Sequence, residues 1–73
     1  MNTIKRNAML YRAVKGDYNV DFKKSYFEQN YTAIHVLSDW AELCNIRPRA
    51  GWTQARTLFN RLKDYEINHV RNI

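Results

Sequence analysis

The sequence predicts a mainly α-helical protein: one small domain over residues 1–73, with frayed termini, in which two C-terminal helices pack across a loop. Apolar residues recur at three- and four-residue steps on both sides of residues 46–51, and a proline and a glycine within that stretch interrupt the periodicity. Apolar residues make up 45% of the chain, which is globular rather than disordered composition. A chain of this length buries only about 60% of its unfolded surface, so its core has to be economical.

The first thirty residues admit two structures. Ile4, Ala8 and Tyr11 are spaced for one face of a helix, and "NVDFKKSYFEQN" suits a second helix capped by Asn19. Alternatively, apolar and polar residues alternate over residues 18–23, and "AMLYRAV" pairs with them as a short β-hairpin around "KGD". Helices are favoured, and the hairpin, which makes the fold α+β, remains the alternative.

A central helix is predicted over about residues 38–45. Ser38 is its expected N-cap, because acidic residues follow in the first turn, where the helix dipole stabilises negative charge. Its start stays open, since the preceding "YTAIHVL" has apolar residues at helical spacing but is also rich in residues that favour strands. Asn45 is the predicted stop, and Pro48 prevents continuation.

The C-terminal helix is predicted from Trp52 onward, with Thr53 as its N-cap. One side carries an apolar face of about four turns, and the other carries a polar, basic stripe of Arg56, Asn60 and Lys63. The apolar faces of the central and C-terminal helices are expected to meet. The predicted core therefore contains Trp40, Leu43, Leu58, Phe59 and Leu62.

Charge is distributed unevenly along the chain, whose formal net charge is +5. The first 16 residues carry four basic and no acidic side chains, and residues 43–73 carry six basic and two acidic ones. Residues 17–42 reverse the balance, with five acidic and two basic side chains. This pattern indicates a basic surface for nucleic acid or for an acidic protein face, or else a set of solvated charges with no partner.

Several classes of function find no support in the residues. Cys44 is the only cysteine, so no internal disulfide can form, and neither His35 nor His69 lies at a metal-ligand spacing from it. No nucleophile–base pair or pair of acids is arranged for catalysis, so the sequence predicts no enzyme, metal or cofactor. Arg12 breaks the N-terminal apolar run, so we expect no membrane segment there and an intracellular protein.

The loop "RPRAG" is the most distinctive local feature. Arg47 and Arg49 flank Pro48, which holds the segment stiff and extended, so two guanidinium groups are presented together. Carboxylates and phosphates suit their paired donors equally well, so the loop by itself does not identify the partner. It can also be only a connector with solvated arginines.

A helix-turn-helix is the local alternative for DNA recognition. Ala41 is a small residue suited to helix packing, and Gln54, Arg56 and Asn60 are side-chain types that read base edges. The connection between the two helices is longer than the motif's usual turn.

The opening "MNTIKRNAMLYRAVKGDY", the closing "RAGWTQARTLFNRLKDYEINHVRNI" and the length of the chain carry a resemblance that covers the whole sequence. The chain resembles the small RNA-polymerase-binding transcription regulators of lytic Xanthomonas phages. This resemblance implies binding to host RNA polymerase through the N-terminal region of its β′ subunit and its β flap, near the RNA exit channel. It also implies inhibition of initiation by displacement of the sigma factor, and antitermination during elongation.

The resemblance places the protein in the host cytoplasm, and we expect it to be a monomer when free. Its expected partners are the β′ and β subunits of the polymerase, with weak non-specific binding to nucleic acid and none to membranes. No motif maps the contacts, so charge alone selects the partner-binding residues. These are Lys5, Arg6, Arg47, Arg49, Arg56 and Lys63.

Overall fold

The computed structural model of the chain describes residues 3–46 and 51–71, and for residues 51–53 it describes only the backbone. Three α-helices lie within these ranges: α1 (Thr3–Asp17), α2 (Tyr31–Leu43) and α3 (Gly51–Tyr65). A 3-10 turn, Tyr26–Glu28, precedes α2, and a π-helical segment, Glu66–Val70, continues α3. The prediction of a mainly helical fold is confirmed.

The N-terminal segment, for which the sequence allowed either a helix or a β-hairpin, is helical over Thr3–Asp17. Leu10, Tyr11 and Val14 bury one face of α1, and α3 is a principal packing partner of this helix. The helix ends before Asn19, whose φ of 55° is left-handed, and the Val20 N–H then donates to the Val14 carbonyl at 3.0 Å. The β-hairpin alternative is not confirmed, and Asn19 does not cap a following helix.

Residues 18–25 form an ordered segment without regular structure in which Val20 and Phe22 are buried. The Gln29 side chain holds the segment in place: its Oε1 accepts from the Asp21 N–H at 3.0 Å. Its Nε2 donates to the carbonyls of Asp21 at 2.8 Å and Ser25 at 3.0 Å. The two-residue alternation in the sequence therefore reflects apolar side chains that enter a helical core from an irregular segment, and no partner strand is needed.

Helix α2 begins earlier than predicted. Asn30 is its N-cap, because the Asn30 Oδ1 accepts from the Ala33 N–H at 2.9 Å. The Asn30 Nδ2 donates to the Tyr18 carbonyl at 2.9 Å, which ties the start of α2 to the end of α1. Ser38 lies inside the helix, so its prediction as N-cap is wrong.

The predicted stop at Asn45 is confirmed by a Schellman motif. Asn45 has a left-handed φ of 59°, and its N–H donates to the Glu42 carbonyl at 3.0 Å. The Ile46 N–H donates to the Ala41 carbonyl at 3.0 Å, and both of these side chains are buried. The motif satisfies carbonyls that the helix end leaves without partners and packs Ile46 back onto the helix.

The central packing of the fold is that of α2 on α3. Helix α2 contributes Ala33, Leu37 and Ala41, at successive four-residue steps, and the alanines allow the helices to approach closely. Helix α3 contributes four fully buried side chains, Ala55, Leu58, Phe59 and Leu62. The predicted core residues Leu58, Phe59 and Leu62 are thus confirmed.

Two other expectations for these helices need correction. Leu43 is 81% exposed, because it lies two residues, about 200°, around the helix from Ala41. Trp40 is only half-buried, at the edge of the core. Thr53 is not the N-cap of α3, since the helix begins at Gly51.

A continuous series of aromatic rings runs through the core. Phe22 stacks between Tyr11 and Phe59, with ring centroids 5.4 and 5.1 Å apart, respectively. From Tyr11 the series continues to Tyr65 at 5.3 Å, and from Phe59 to Tyr26 at 5.9 Å. Stacked and tilted rings at these separations stabilise a fold beyond the area they bury. The series joins α1, the irregular segment, the 3-10 turn and α3.

The two hydrogen bonds of Asn30 can be separated by mutation. We expect Asn30→Ala to lower the free energy of unfolding by about 1–2 kcal/mol, because it removes both the N-cap and the donor to Tyr18. Asn30→Asp keeps the N-cap acceptor and removes only the donor, so it should cost less. Urea denaturation followed by circular dichroism measures both, and equal losses for the two variants would contradict the cap.

Candidate protein-binding surface

The three helices differ sharply in charge. Helix α1 carries Lys5, Arg6, Arg12 and Lys15 before its first acid, Asp17. Helix α2 contains no lysine or arginine, and its charged residues are Asp39 and Glu42, both exposed. Helix α3 carries Arg56, Arg61 and Lys63 against Asp64. The fold therefore places basic residues on α1 and α3 and leaves α2 acidic.

Arg56 is the predicted site residue with the most informative surroundings. It is exposed on α3, and its guanidinium carbon lies 5.5 Å from the centroid of the Phe27 ring. Phe27 is itself 64% exposed, and its ring also meets that of Tyr26 edge-on, with centroids 5.3 Å apart. A cation over an aromatic face is attracted to the ring, so Phe27 orients Arg56 at the surface. No sequence pattern indicated the contact between Phe27 and Arg56, because residues 29 positions apart share no periodic signal.

Of the two N-terminal basic residues, Lys5 is exposed and Arg6 is half-buried. The Arg6 Nη2 donates to the Asn7 Oδ1 at 3.5 Å, a long contact, and the Arg6 Nε is buried without a hydrogen-bond partner. Lys5 is the more accessible cation of the pair, and Arg6 serves partly in packing.

Helix geometry separates the predicted residues into different regions. Arg56 and Lys63 are two turns apart on the same side of α3, and Lys63 is half-buried. The first turns of α1 adjoin the other side of α3: a groove of about 290 Å³ is lined by Ile4 and Asn7 together with Arg61 and Tyr65. Arg61 lies about 140° around the helix from Arg56. The structure does not bring Lys5 and Arg6 together with Arg56 and Lys63.

Arg47 and Arg49 lie outside the described residues. A hydrogen bond joins the two sides of their loop: the Gln54 Nε2 donates to the Ile46 carbonyl at 2.7 Å. Gln54 therefore fixes the end of the α2 cap against the first turns of α3. One of the three side chains expected to read bases is thus engaged in holding the connection, although Ala41 does pack in the core as a helix-turn-helix would require.

A buried carboxylate joins α1 to the C-terminal segment. Glu66 is almost fully buried and accepts a hydrogen bond from the Tyr11 hydroxyl at 2.7 Å. It also forms ion pairs with Lys15, at 3.3 Å, and with Arg71. The Lys15 Nζ donates to the Tyr11 oxygen at 3.2 Å, which closes the network. No sequence pattern indicated this cluster, since Tyr11 and Glu66 are 55 positions apart in the chain.

The network determines the charge state of its members. Burial raises the pKa of the Glu66 carboxyl, but hydrogen bonds from Tyr11, Arg71 and Lys15 outweigh it and bring the pKa below its ordinary value. Burial, followed by the hydrogen bond to Glu66, raises the pKa of Tyr11. Glu66 is therefore ionised at neutral pH, and it offsets part of the positive charge of Lys15 and Arg71.

Comparison with protein families, with characterised proteins and with solved structures gives no match for this chain. Within the described residues, no helix is both long and apolar enough to cross a membrane. Across residues 3–46 and 51–71, no group of three or more His, Cys, Asp or Glu side chains is placed to hold a metal ion.

Glu66→Gln tests the network. We expect it to lower the free energy of unfolding at about pH 7 by about 1–3 kcal/mol, less than for a fully buried pair, because Lys15 and Arg71 are half-exposed and can be solvated. The pKa of Glu66 is lower in the folded state, so its contribution is present above the unfolded-state pKa and is lost as the pH falls through the folded-state pKa. The difference in free energy of unfolding between the wild type and Glu66→Gln should therefore decrease toward about pH 2.

Urea denaturation across this pH range measures the effect. The matched control is Glu42→Gln, which removes an exposed carboxylate from α2 and should change stability by less than about 0.5 kcal/mol. A difference between wild type and Glu66→Gln that stayed constant with pH would contradict the charged role of Glu66.

Proposed function

We propose that this protein is a phage-encoded regulator that binds host RNA polymerase through the N-terminal region of the β′ subunit and the β flap, near the RNA exit channel. It inhibits initiation by displacing the sigma factor, and it promotes antitermination during elongation. It acts in the host cytoplasm. The resemblance of the whole chain to small polymerase-binding regulators of Xanthomonas phages supplies this partner and these two effects.

The structural observation that supports the proposal is the segregation of charge among the helices. Basic side chains lie on α1 and α3, whereas α2 has none. Basic side chains on two of the three helices raise the rate at which the protein meets a partner of opposite charge and help to orient it before contact. An acidic face on a large assembly is a suitable partner for such a surface.

Binding energy alone is sufficient for both proposed effects. A regulator without chemistry of its own shifts an equilibrium only by binding one state of its target more tightly than another. Converting a population from 1:99 to 99:1 requires a difference of about 5.5 kcal/mol. Nanomolar binding corresponds to about 12 kcal/mol, so exclusion of a competing factor from a shared surface lies within reach of a small protein.

A DNA-binding helix-turn-helix is the alternative, and two observations favour it less. The connection between α2 and α3 runs from residue 44 to residue 50, which is longer than the three or four residues usual for the motif. Gln54 is hydrogen-bonded to the Ile46 carbonyl rather than available to a base edge. Arg56 and Asn60 remain exposed, so non-specific contact with phosphates is still expected.

Purified host RNA polymerase tests the proposal directly. We expect the protein to bind core enzyme, to release sigma from holoenzyme and to increase read-through at a terminator in transcription assays. Arg47→Ala/Arg49→Ala should raise the dissociation rate about 30-fold or more, since truncating one desolvated interfacial charge costs about 2–5 kcal/mol. Lys5→Ala/Arg6→Ala should mainly slow association and weaken its dependence on salt.

Lys23→Ala/Lys24→Ala is the matched control for the loop variant. It removes the same charge from two exposed positions of the irregular segment and should leave the dissociation rate unchanged. Circular dichroism establishes that each variant is folded. An unchanged dissociation rate for the folded loop variant would identify "RPRAG" as only a connector, and absence of wild-type binding would contradict the proposed function.

We also expect weak binding to duplex DNA without sequence preference. With about four phosphates neutralised, affinity should fall about 100-fold between about 50 and 200 mM salt, and it should be similar for unrelated sequences. Fluorescence anisotropy with two unrelated duplexes measures this. A footprint on one sequence at physiological salt would favour the helix-turn-helix instead.

A further inference from the structure

An exposed aromatic ring lies beside a basic side of α3. The Arg56 guanidinium carbon is 5.5 Å from the centroid of the Phe27 ring, and Phe27 is 64% exposed although its ring also contacts that of Tyr26. Asn60 and Lys63 follow Arg56 at intervals of four and three residues, which places all three on the same side of the helix. We call Phe27, Arg56, Asn60 and Lys63 the Phe27 stripe.

The two cations of the Phe27 stripe keep their capacity to bind an anion. A guanidinium group attracted to an aromatic ring still has N–H donors in its own plane, and their fork matches the oxygens of a phosphate. Within the described part of the chain, neither Arg56 nor Lys63 forms an ion pair with a carboxylate. Glu28, the acid next to Phe27 in the sequence, accepts a hydrogen bond from the Ser25 N–H at 2.8 Å, which holds its carboxylate at the start of the 3-10 turn. An anionic partner therefore complements the stripe.

The combination of ring and cations favours a nucleic acid over a protein. Bases stack on aromatic side chains and on guanidinium planes, while cations beside them contact the phosphates. The centre of a protein interface is apolar and poor in charge, whereas the members of the stripe on α3 are Arg56, Asn60 and Lys63. Within a duplex the bases are stacked on one another, so a protein ring does not reach their faces. The partner with accessible bases and phosphates is a single strand.

We propose that the Phe27 stripe binds single-stranded nucleic acid. A base stacks on the pair formed by Phe27 and Arg56. Arg56 and Lys63, about 10 Å apart along the helix axis, contact phosphates of the same strand, and Asn60 between them offers both a donor and an acceptor. Every base has a face that can stack, so binding has little sequence preference. The site goes beyond the proposed function and is tested without polymerase.

Fluorescence anisotropy with a labelled RNA strand of about 10 nucleotides tests the stacking contact. The wild-type protein should bind the single strand more tightly than a duplex of the same sequence. Phe27→Ala should weaken single-strand binding about tenfold and leave duplex binding unchanged. Phe27→Trp keeps an aromatic ring and should retain binding, whereas Phe27→Leu should not. Leu43→Ala, which removes another exposed apolar side chain, is the control and should bind as the wild type does.

The salt dependence of single-strand binding tests the cation. Arg56→Gln should reduce the slope of log affinity against log salt concentration by about 0.7, the value for one phosphate contact on a single strand. Arg61→Gln is the matched control, because it removes the same charge from an exposed position about 140° around α3 and should leave the slope unchanged. A DNA strand of the same sequence should bind with similar affinity, since stacking and phosphate contacts do not involve the 2′-hydroxyl. Markedly tighter binding of RNA would identify RNA as the ligand of the stripe.

Three outcomes would overturn the proposal. If the wild-type protein binds the single strand no more tightly than the duplex, attraction to phosphates is the whole interaction. If Phe27→Ala, shown by circular dichroism to be folded, keeps wild-type affinity for the single strand, the ring takes no part in binding. If Phe27→Ala binds the single strand normally but loses affinity for purified polymerase, the stripe is a protein contact. The first two outcomes leave the proposed function standing, and the third supports it.

Discussion

The position of Phe22 between Tyr11 and Phe59 is the contact on which the rest of the structure depends. Phe22 comes from a segment without regular structure, yet it is almost fully buried and joins α1 to α3. Loss of a buried phenylalanine side chain costs about 3–5 kcal/mol, comparable with the whole stability of many small domains. The hydrogen bonds between Gln29 and the backbone of Asp21 hold residues 18–25 in the conformation that places this ring in the core.

The Glu66 network is the polar counterpart of this contact. Tyr11 belongs to both, since its ring stacks on Phe22 and its hydroxyl donates to Glu66. Lys15 and Arg71, both half-exposed, form ion pairs with the buried Glu66 carboxylate. Removal of the carboxylate would leave these charges to water and would loosen the attachment of α1 to the C-terminal segment. The same network therefore joins α1 to the C-terminal segment and pairs two of the protein's half-exposed cations with a buried carboxylate.

Helix α1 has two sides with separate roles. Its inner side, with Tyr11 and Val14, is buried in the core, and its outer side, with Met9 and Arg12, is exposed. Because the inner side is packed in the core, exposed residues such as Met9 and Arg12 keep their helical spacing, which lowers the entropy lost when a partner binds. Helix α2 carries acidic and no basic side chains, whereas the charged residues of α1 and α3 are mainly basic.

The sequence by itself determined the helical class, the stop at Asn45 and the buried face of α3, because each depends on residues within a few positions of one another. The predictions that Leu43 is buried and that Ser38 and Thr53 are N-caps were wrong. Which side of a helix is buried, and at which residue the helix begins, depend on what packs against it. Only the tertiary structure decided that Phe22 enters the core, that Phe27 meets Arg56 and that Tyr11 meets Glu66. These contacts join distant parts of the chain and depend on how the helices pack, so no periodic pattern in the sequence predicts them.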